Sequence, residues 1–245
     1  MSRTGSDLDA VVVGAGPNGL AAAVTLARSG LRVRVYERAD QPGGGAATRE
    51  LTLPGFRHDV CSAVHPLAFE SRFFREFGLR DRVEFVTPDL SYAHPLDGGR
   101  AALAYRDLAR TREGLGRDGA SYERIMRPLV ERSTQVADFT GGSLLRIPGD
   151  PVTAVSFGLR ALEQGGPAWN ARFREEAAPA LMTGVAAHTI LSQPSIAAAG
   201  AGLALGAYAH ARGWPIPLGG SQAIVDAMGD DLRALGGEVV LEREV

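Results

Sequence analysis

The chain alternates short apolar runs with longer amphipathic stretches, and the lengths of these runs sort them into elements. Ala10–Val13 is apolar at every position, the pattern of a short strand buried on both faces. Leu20–Ser29 is rich in Ala and Leu, and Gly30 stands where a helix would stop. Val33–Tyr36 is a second strand-like run, so the chain opens strand–helix–strand. Ser71–Gly78 predicts a short helix with Phe73, Phe74 and Phe77 on one face, expected in the core. Val83–Val86 predicts a strand. Tyr92–Pro95 and Ala101–Tyr105, joined through Asp97-Gly98-Gly99, predict a hairpin. From Asp107 to about Arg212 the pattern is mostly helical, with helices expected over 119–139, 151–164, 170–187 and 195–212. Gly213–Val245 then predicts an amphipathic helix at Ser221–Leu235, stopped by Gly236-Gly237, and a strand from Glu238 to Leu241.

The first strand–helix–strand unit carries the most specific chemistry. Gly14, Gly16 and Gly19 form G-x-G-x-x-G between strand and helix, and Glu37 ends the second strand. Gly14 suits a tight turn, Gly16 lets a pyrophosphate approach the main chain, and Gly19 lets helix and strand pack closely. Free amides at the helix start, around Pro17 and Asn18, favour phosphate through hydrogen bonding and the helix dipole. Glu37 can accept from ribose hydroxyls and would repel an added phosphate, which favours FAD or NAD over NADP. The following loop, with Gly43, Gly44 and Gly45, leaves Glu37 and is expected to run back toward the phosphate turn.

Composition adds limits. The 245 residues are 45% hydrophobic and 22% charged, as in ordinary globular proteins, and a net charge of -2 gives no electrostatic case for nucleic acid. Cys61 is the only cysteine, so no internal disulfide can form, and a reducing cytoplasm is the expected setting. Cys61 itself reads as a buried structural residue. The polar N-terminus, MSRTGSDLD, lacks a signal-peptide core. Ser195–Ala211 has no Asp, Glu, Lys or Arg but is short for a span; a buried helix is expected, with membrane contact at most peripheral. The arginines along 100–132 are interleaved with acids and read as a solvated helical face. His188 and His210 lie on apolar helices without ligand-spaced partners and read as core histidines, so no metal site is expected. No Ser-His-Asp or Cys-His arrangement stands out, and no catalytic acid or base can be named.

The spacing of Gly14, Gly16, Gly19, Ala23, Leu26, Gly30, Val33, Val35 and Glu37, followed by Gly43, Gly44 and Thr48, resembles the extended FAD signature of the two-dinucleotide-binding-motif flavoproteins. That superfamily includes amine oxidases, phytoene desaturases and Rab GDP-dissociation inhibitors. Gly55, Phe56, Asp59 and His65-Pro66 are similar to the phytoene-dehydrogenase-like group within it. The resemblance implies that Gly14, Gly16, Pro17, Asn18, Gly19, Glu37, Gly43, Gly44, Gly45 and Thr48 contact the cofactor. It also implies that His65 lies near the flavin, although read alone His65 is a satisfied loop histidine. Many members carry Arg where this chain has Gly45; Arg38 and Arg49 are close enough in sequence to substitute. Val245 matches the residue that meets the adenine.

These readings predict an α/β protein: a three-layer FAD-binding Rossmann-type domain built from residues 1–69 and 217–245, with a mainly helical substrate domain, including a small antiparallel sheet, inserted at 70–216. The expected activity is FAD-dependent hydride removal from a hydrophobic or amine-like small molecule. A non-catalytic binding module on the GDP-dissociation-inhibitor scaffold and an NAD-dependent dehydrogenase stand as alternatives. Family members continue past the position matching Val245, so the resemblance implies a C-terminally truncated or split form, with a C-terminal half polypeptide as an expected partner.

Overall fold

In the computed structural model, residues 8–143, 145 and 147–245 are described. The part of the polar N-terminal stretch up to residue 7 lies outside the described residues. In chain order the elements are β1 (Ala10–Val13), α1 (Pro17–Arg28), β2 (Val33–Tyr36), β3 (Thr48–Glu50), β4 (Arg57–Asp59), α2 (Arg72–Phe77), α3 (Leu79–Arg82) and β5 (Phe85–Val86). There follow β6 (Leu90–Leu96), β7 (Arg100–Tyr105), α4 (Leu108–Gly114), α5 (Gly119–Val130), α6 (Ser133–Thr140), α7 (Pro151–Gly165), α8 (Ala177–Ala186), α9 (Ile196–Ala211), β8 (Ile216–Pro217), α10 (Gln222–Ala234) and β9 (Glu238–Val240). The chain divides into two compact units. The first comprises the residues through His65, Gly78–Val86 and Ile216–Val245; the second comprises Pro66–Phe77 and Thr87–Pro215.

The first unit is an alternating β/α region around a parallel sheet in the order β1-β2-β9. Val35 of β2 is fully buried and pairs with Val12 on one side and Val239 on the other. Helices α1 and α10 pack against each other, burying Leu20, Ala23, Val24, Ile224, Val225, Met228 and Leu232. Val12 faces α1, with its Cγ1 3.5 Å from where a Cβ on Gly19 would stand. Val11 and Val13 point the other way and are 52% and 63% exposed. The expectation of a first strand buried on both faces is therefore corrected: no described element covers that side of β1. A β3–β4 hairpin, not foreseen from the pattern, turns at Pro54-Gly55, where Gly55 holds φ +83°.

The second unit is mainly helical, with one antiparallel hairpin, β6–β7. Its central helix is α9, the uncharged stretch. Ala198, Leu203, Ala207, Tyr208 and Ala209 are buried, and Gly202 lies so close to α8 that a Cβ would stand 2.8 Å from that of Ala186. Small residues let helices approach, which accounts for the composition without a membrane. Among the described residues no helix is long and apolar enough to cross one.

Two expected helices are shorter than their patterns. The 119–139 stretch breaks at Arg132, whose backbone is non-helical (φ -123°, ψ 33°). The fully buried Glu70 carboxylate accepts hydrogen bonds from Ser133 Oγ and Thr134 Oγ1 and anchors the new start. The 170–187 stretch is helical only from Ala177. Asn170 takes φ +62°, and the buried Asp118 carboxylate instead collects the amides of Arg174 and Glu175 at 2.8–2.9 Å. Local periodicity cannot reveal a carboxylate more than fifty positions away. Of the two histidines read as core residues, His210 is 5% exposed, whereas His188 is exposed on a short 3-10 turn after α8. Of the phenylalanines on α2, Phe77 is buried and Phe73 stacks on it at 5.6 Å; Phe73 and Phe74 are half-buried.

Candidate cofactor site

The glycine turn lies between β1 and α1 in the first unit. Gly14 has φ +93°, a region that disfavours a side chain, and its amide bonds Tyr36 O at 2.7 Å. Gly19 is the tightest position: a Cβ there would stand 2.0 Å from Gly14 O. Gly16 is the N-cap of α1 and supplies no capping side chain, and Pro17 opens the helix. Among the described residues the amides of Asn18 and Gly19 have no backbone acceptor. They are first-turn donors at the positive end of a twelve-residue helix, the ordinary equipment for holding an anion.

The second glycine stretch returns to this turn. Gly43 N bonds Ala15 O at 2.9 Å, and a Cβ on Gly44 would stand 3.2 Å from the Cα of Gly16. Gly43 at φ +136° and Gly44 at φ +52° hold conformations that favour glycine. Gly45 differs: a Cβ there would face Cys61 at an ordinary 3.7 Å, so the position has room for a side chain. Cys61 is exposed, which corrects the buried structural reading; it follows the β4 strand on the surface of the hairpin.

Glu37 braces the turn. One carboxylate oxygen accepts from Ala15 N at 2.7 Å and the other from Ala39 N at 2.9 Å. Burial works to raise the carboxyl pKa, but the backbone donors of Ala39, Ala15 and Arg38 together outweigh it and hold the group below the ordinary glutamate value. Each oxygen keeps lone-pair capacity for another donor. Arg38 is exposed beside it, and Arg49 pairs with Asp40 at 2.8 Å. Glu242 N bonds Ala39 O and Arg243 N bonds Glu37 O, so the segment before Val245 runs alongside Glu37–Ala39; Val245 itself is 77% exposed.

Thr48 and His65 belong to a neighbouring knot at the start of α10. Thr48 Oγ1 donates to Asp59 Oδ1 at 2.6 Å and accepts from Gln222 N at 3.0 Å. The same Asp59 oxygen accepts from Ser221 N at 2.8 Å. His65 Nε2 lies 2.7 Å from Ser221 Oγ. The single Ser221 hydroxyl proton goes to Ser62 O, so His65 Nε2 carries the hydrogen and donates. This serine–histidine pair is therefore arranged opposite to a nucleophile and its base. Burial lowers the His65 pKa, against the field of Asp59. Sequence reasoning named Thr48 and His65 but missed Asp59 and Ser221 as their partners. The signal was the cross-strand register of a hairpin around Pro54-Gly55, which pairs Thr48 with Asp59.

The observed cradle fits a dinucleotide pyrophosphate: two free helix-start amides, glycines where backbones meet, and a carboxylate fixed beside them. Residues 12–77 match the family described as NAD(P)-binding Rossmann-like domain. A limonene dehydrogenase polypeptide from Castellaniella defragrans is 32% identical over 131 residues, covering 53% of this chain and 24% of that protein. Among solved structures, cyclohexylamine oxidase from Brevibacterium oxydans aligns with TM-score 0.52 and 19% identity, over 98% of this chain and 52% of that one. The Rab GDI from Plasmodium falciparum aligns with TM-score 0.54 and 11% identity, over 96% of this chain and 58% of that one. The chain thus spans about half the length of these structures. What these likenesses show is the fold: a Rossmann-like region, described as NAD(P)-binding for the family matched at residues 12–77, in an architecture similar to that of this cyclohexylamine oxidase and this Rab GDI.

Proposed function

We propose that the first unit binds the adenosine and pyrophosphate of FAD and serves an oxidoreductase of the phytoene-dehydrogenase-like type, acting on a hydrophobic or amine-like small molecule. The observation that carries this reading is the facing pair of glycine stretches, with Gly43 N bonded to Ala15 O and the Asn18 and Gly19 amides left for phosphate. In this reading Gly14, Gly16, Gly19, Gly43 and Gly44 let the pyrophosphate approach, and Glu37 takes the ribose hydroxyls. The bound flavin supplies the hydride chemistry; this chain's residues bind and orient it. Val245 lies at the adenine end, and Thr48 and His65 hold the start of α10 against the glycine loop. The match to a limonene dehydrogenase, an enzyme named for an apolar hydrocarbon, supports an apolar substrate.

The test is FAD binding by quenching of flavin fluorescence, with AMP and NAD as competitors. FAD should bind, and Glu37→Ala should weaken it by about 1–3 kcal/mol, the scale of a hydrogen bond to a charged group. Unchanged affinity in Glu37→Ala would remove the ribose assignment. Tighter binding of NAD than of FAD would favour the dehydrogenase alternative, and binding of neither would favour the non-catalytic scaffold.

A further inference from the structure

Helix α7 in the second unit presents two faces that avoid charge. Thr153, Phe157, Ala161 and Gln164 are buried. Opposite them stand Val152, Val155, Leu159 and Leu162, which are 65%, 62%, 63% and 56% exposed. Single exposed aliphatics are ordinary on a surface, but four in one line are not. Their spacing is three, four, three, the interval of a seam between two packed helices.

We propose that this face pairs with the same face of a second copy of the chain, the two α7 helices running antiparallel about a two-fold axis level with residue 157. Three observations select this occupant. First, the stripe is self-complementary: its positions are symmetric about residue 157. Antiparallel pairing sets Val152 against the second copy's Leu162 and Val155 against its Leu159, a smaller side chain facing a larger one each time. Gly158 beside the seam has nothing within 4 Å of where a Cβ would stand, so the helices can approach closely. Second, both charged residues of α7 are engaged elsewhere. Arg160 donates to Ile125 O at 2.9 Å and to Ser156 O at 2.8 Å, and Glu163 pairs with Arg172. No charge pattern remains on the seam to select a different helix. Third, the area fits a weak pair. At about 100 Å² of apolar surface for each such side chain, four side chains from each copy bury roughly 800 Å², in the range of weak, transient interfaces. The dimer is therefore weak and dissociates on dilution.

Sedimentation velocity of the full chain over a micromolar to sub-millimolar range should show a monomer–dimer equilibrium. Leu159→Glu, whose side chain is exposed in the monomer, should raise the dissociation constant by at least about 100-fold while circular dichroism is unchanged. A second measurement tests the register without relying on that variant. In a Cys61→Ser background, Val155→Cys mixed with Leu159→Cys should be joined by a short bis-maleimide linker far more efficiently than either protein alone. A monomer at every concentration, a dimer indifferent to Leu159→Glu, or equal linking in the mixed and unmixed samples would overturn the proposal. So would a monomer that binds phosphatidylcholine vesicles through Leu159, which would assign the face to lipid.

Discussion

The glycine turn of the first unit arranges its polar groups through the backbone. Gly14, Gly43 and Gly44 bend the chain, the Asn18 and Gly19 amides have no backbone acceptor among the described residues, and the main side-chain contribution, from Glu37, is itself held by two amides. The second unit does the reverse. Its interior contains a chain of side-chain hydrogen bonds with every proton assigned by its neighbour. Tyr105 O can only accept, so His210 Nδ1 donates to it at 2.7 Å. His210 Nε2 must then accept from Tyr122 OH at 2.8 Å. The buried Tyr92 beside them stacks on Trp214 at 4.9 Å. Burial pushes the Tyr92 phenol up to about 12 and the His210 imidazole down to about 4. Backbone recognition leaves a signature of fixed spacing and required glycines. A side-chain network leaves none, because its members come from α5, α9 and the end of β7.

The sharpest way to break this contrast is at Gly19. A valine there drives atoms into Gly14 O, already 2.0 Å from where a Cβ would stand, so the turn must move. Gly19→Val should abolish nucleotide binding and cost about 3 kcal/mol or more of stability, the upper range for forced overpacking. Tight flavin binding by the variant, measured by equilibrium dialysis, would show that the phosphates sit elsewhere. Gly45→Ala, one position past the pair, should change binding little, since its neighbour Cys61 allows a Cβ at 3.7 Å.

An intermediate effect is expected from pH. The folded His210 pKa, about 4, lies below the ordinary 6.5 of an unfolded histidine. As pH falls from 6.5 the unfolded chain binds a proton that the folded chain refuses, so stability declines until the folded group also titrates near pH 4. The loss is about 3 kcal/mol over that window. Urea melts should show this slope, and His210→Gln should flatten it while lowering stability at neutral pH. If the slope survives in His210→Gln, another group is responsible.

The smallest effect is at Cys61. As it is exposed, Cys61→Ser should change stability by less than about 0.5 kcal/mol. A larger loss would restore the buried reading.

The sequence made the opening of the chain legible because steric need is written in residue type. G-x-G-x-x-G, the acid at Glu37 and the Gly43-Gly44 pair lie within thirty-one positions, and the structure brings them together. What stayed hidden depended on distance. The true start of α8 is set by Asp118, the break before α6 by Glu70, and the orientation of His65 by Ser221. The exposure of Cys61 and Val13 was hidden for another reason: an apolar residue type reports a preference for burial and cannot report whether anything is present to cover it.

The pairing of β2 with β9 joins Arg34 to Glu238 across more than two hundred residues. On a ribosome adding about 5–20 residues each second, β2 waits roughly 10–40 s for that neighbour. Meanwhile the second unit, whose segments lie between them, has been synthesised in full and can fold first. The parallel sheet that frames the glycine turn therefore closes after the second unit. During that interval Val33 and Val35, both buried in the finished sheet, depend on α1 alone or on a chaperone for cover. Codon changes that slow translation between β2 and β9 should lower soluble yield without altering a single residue of the protein.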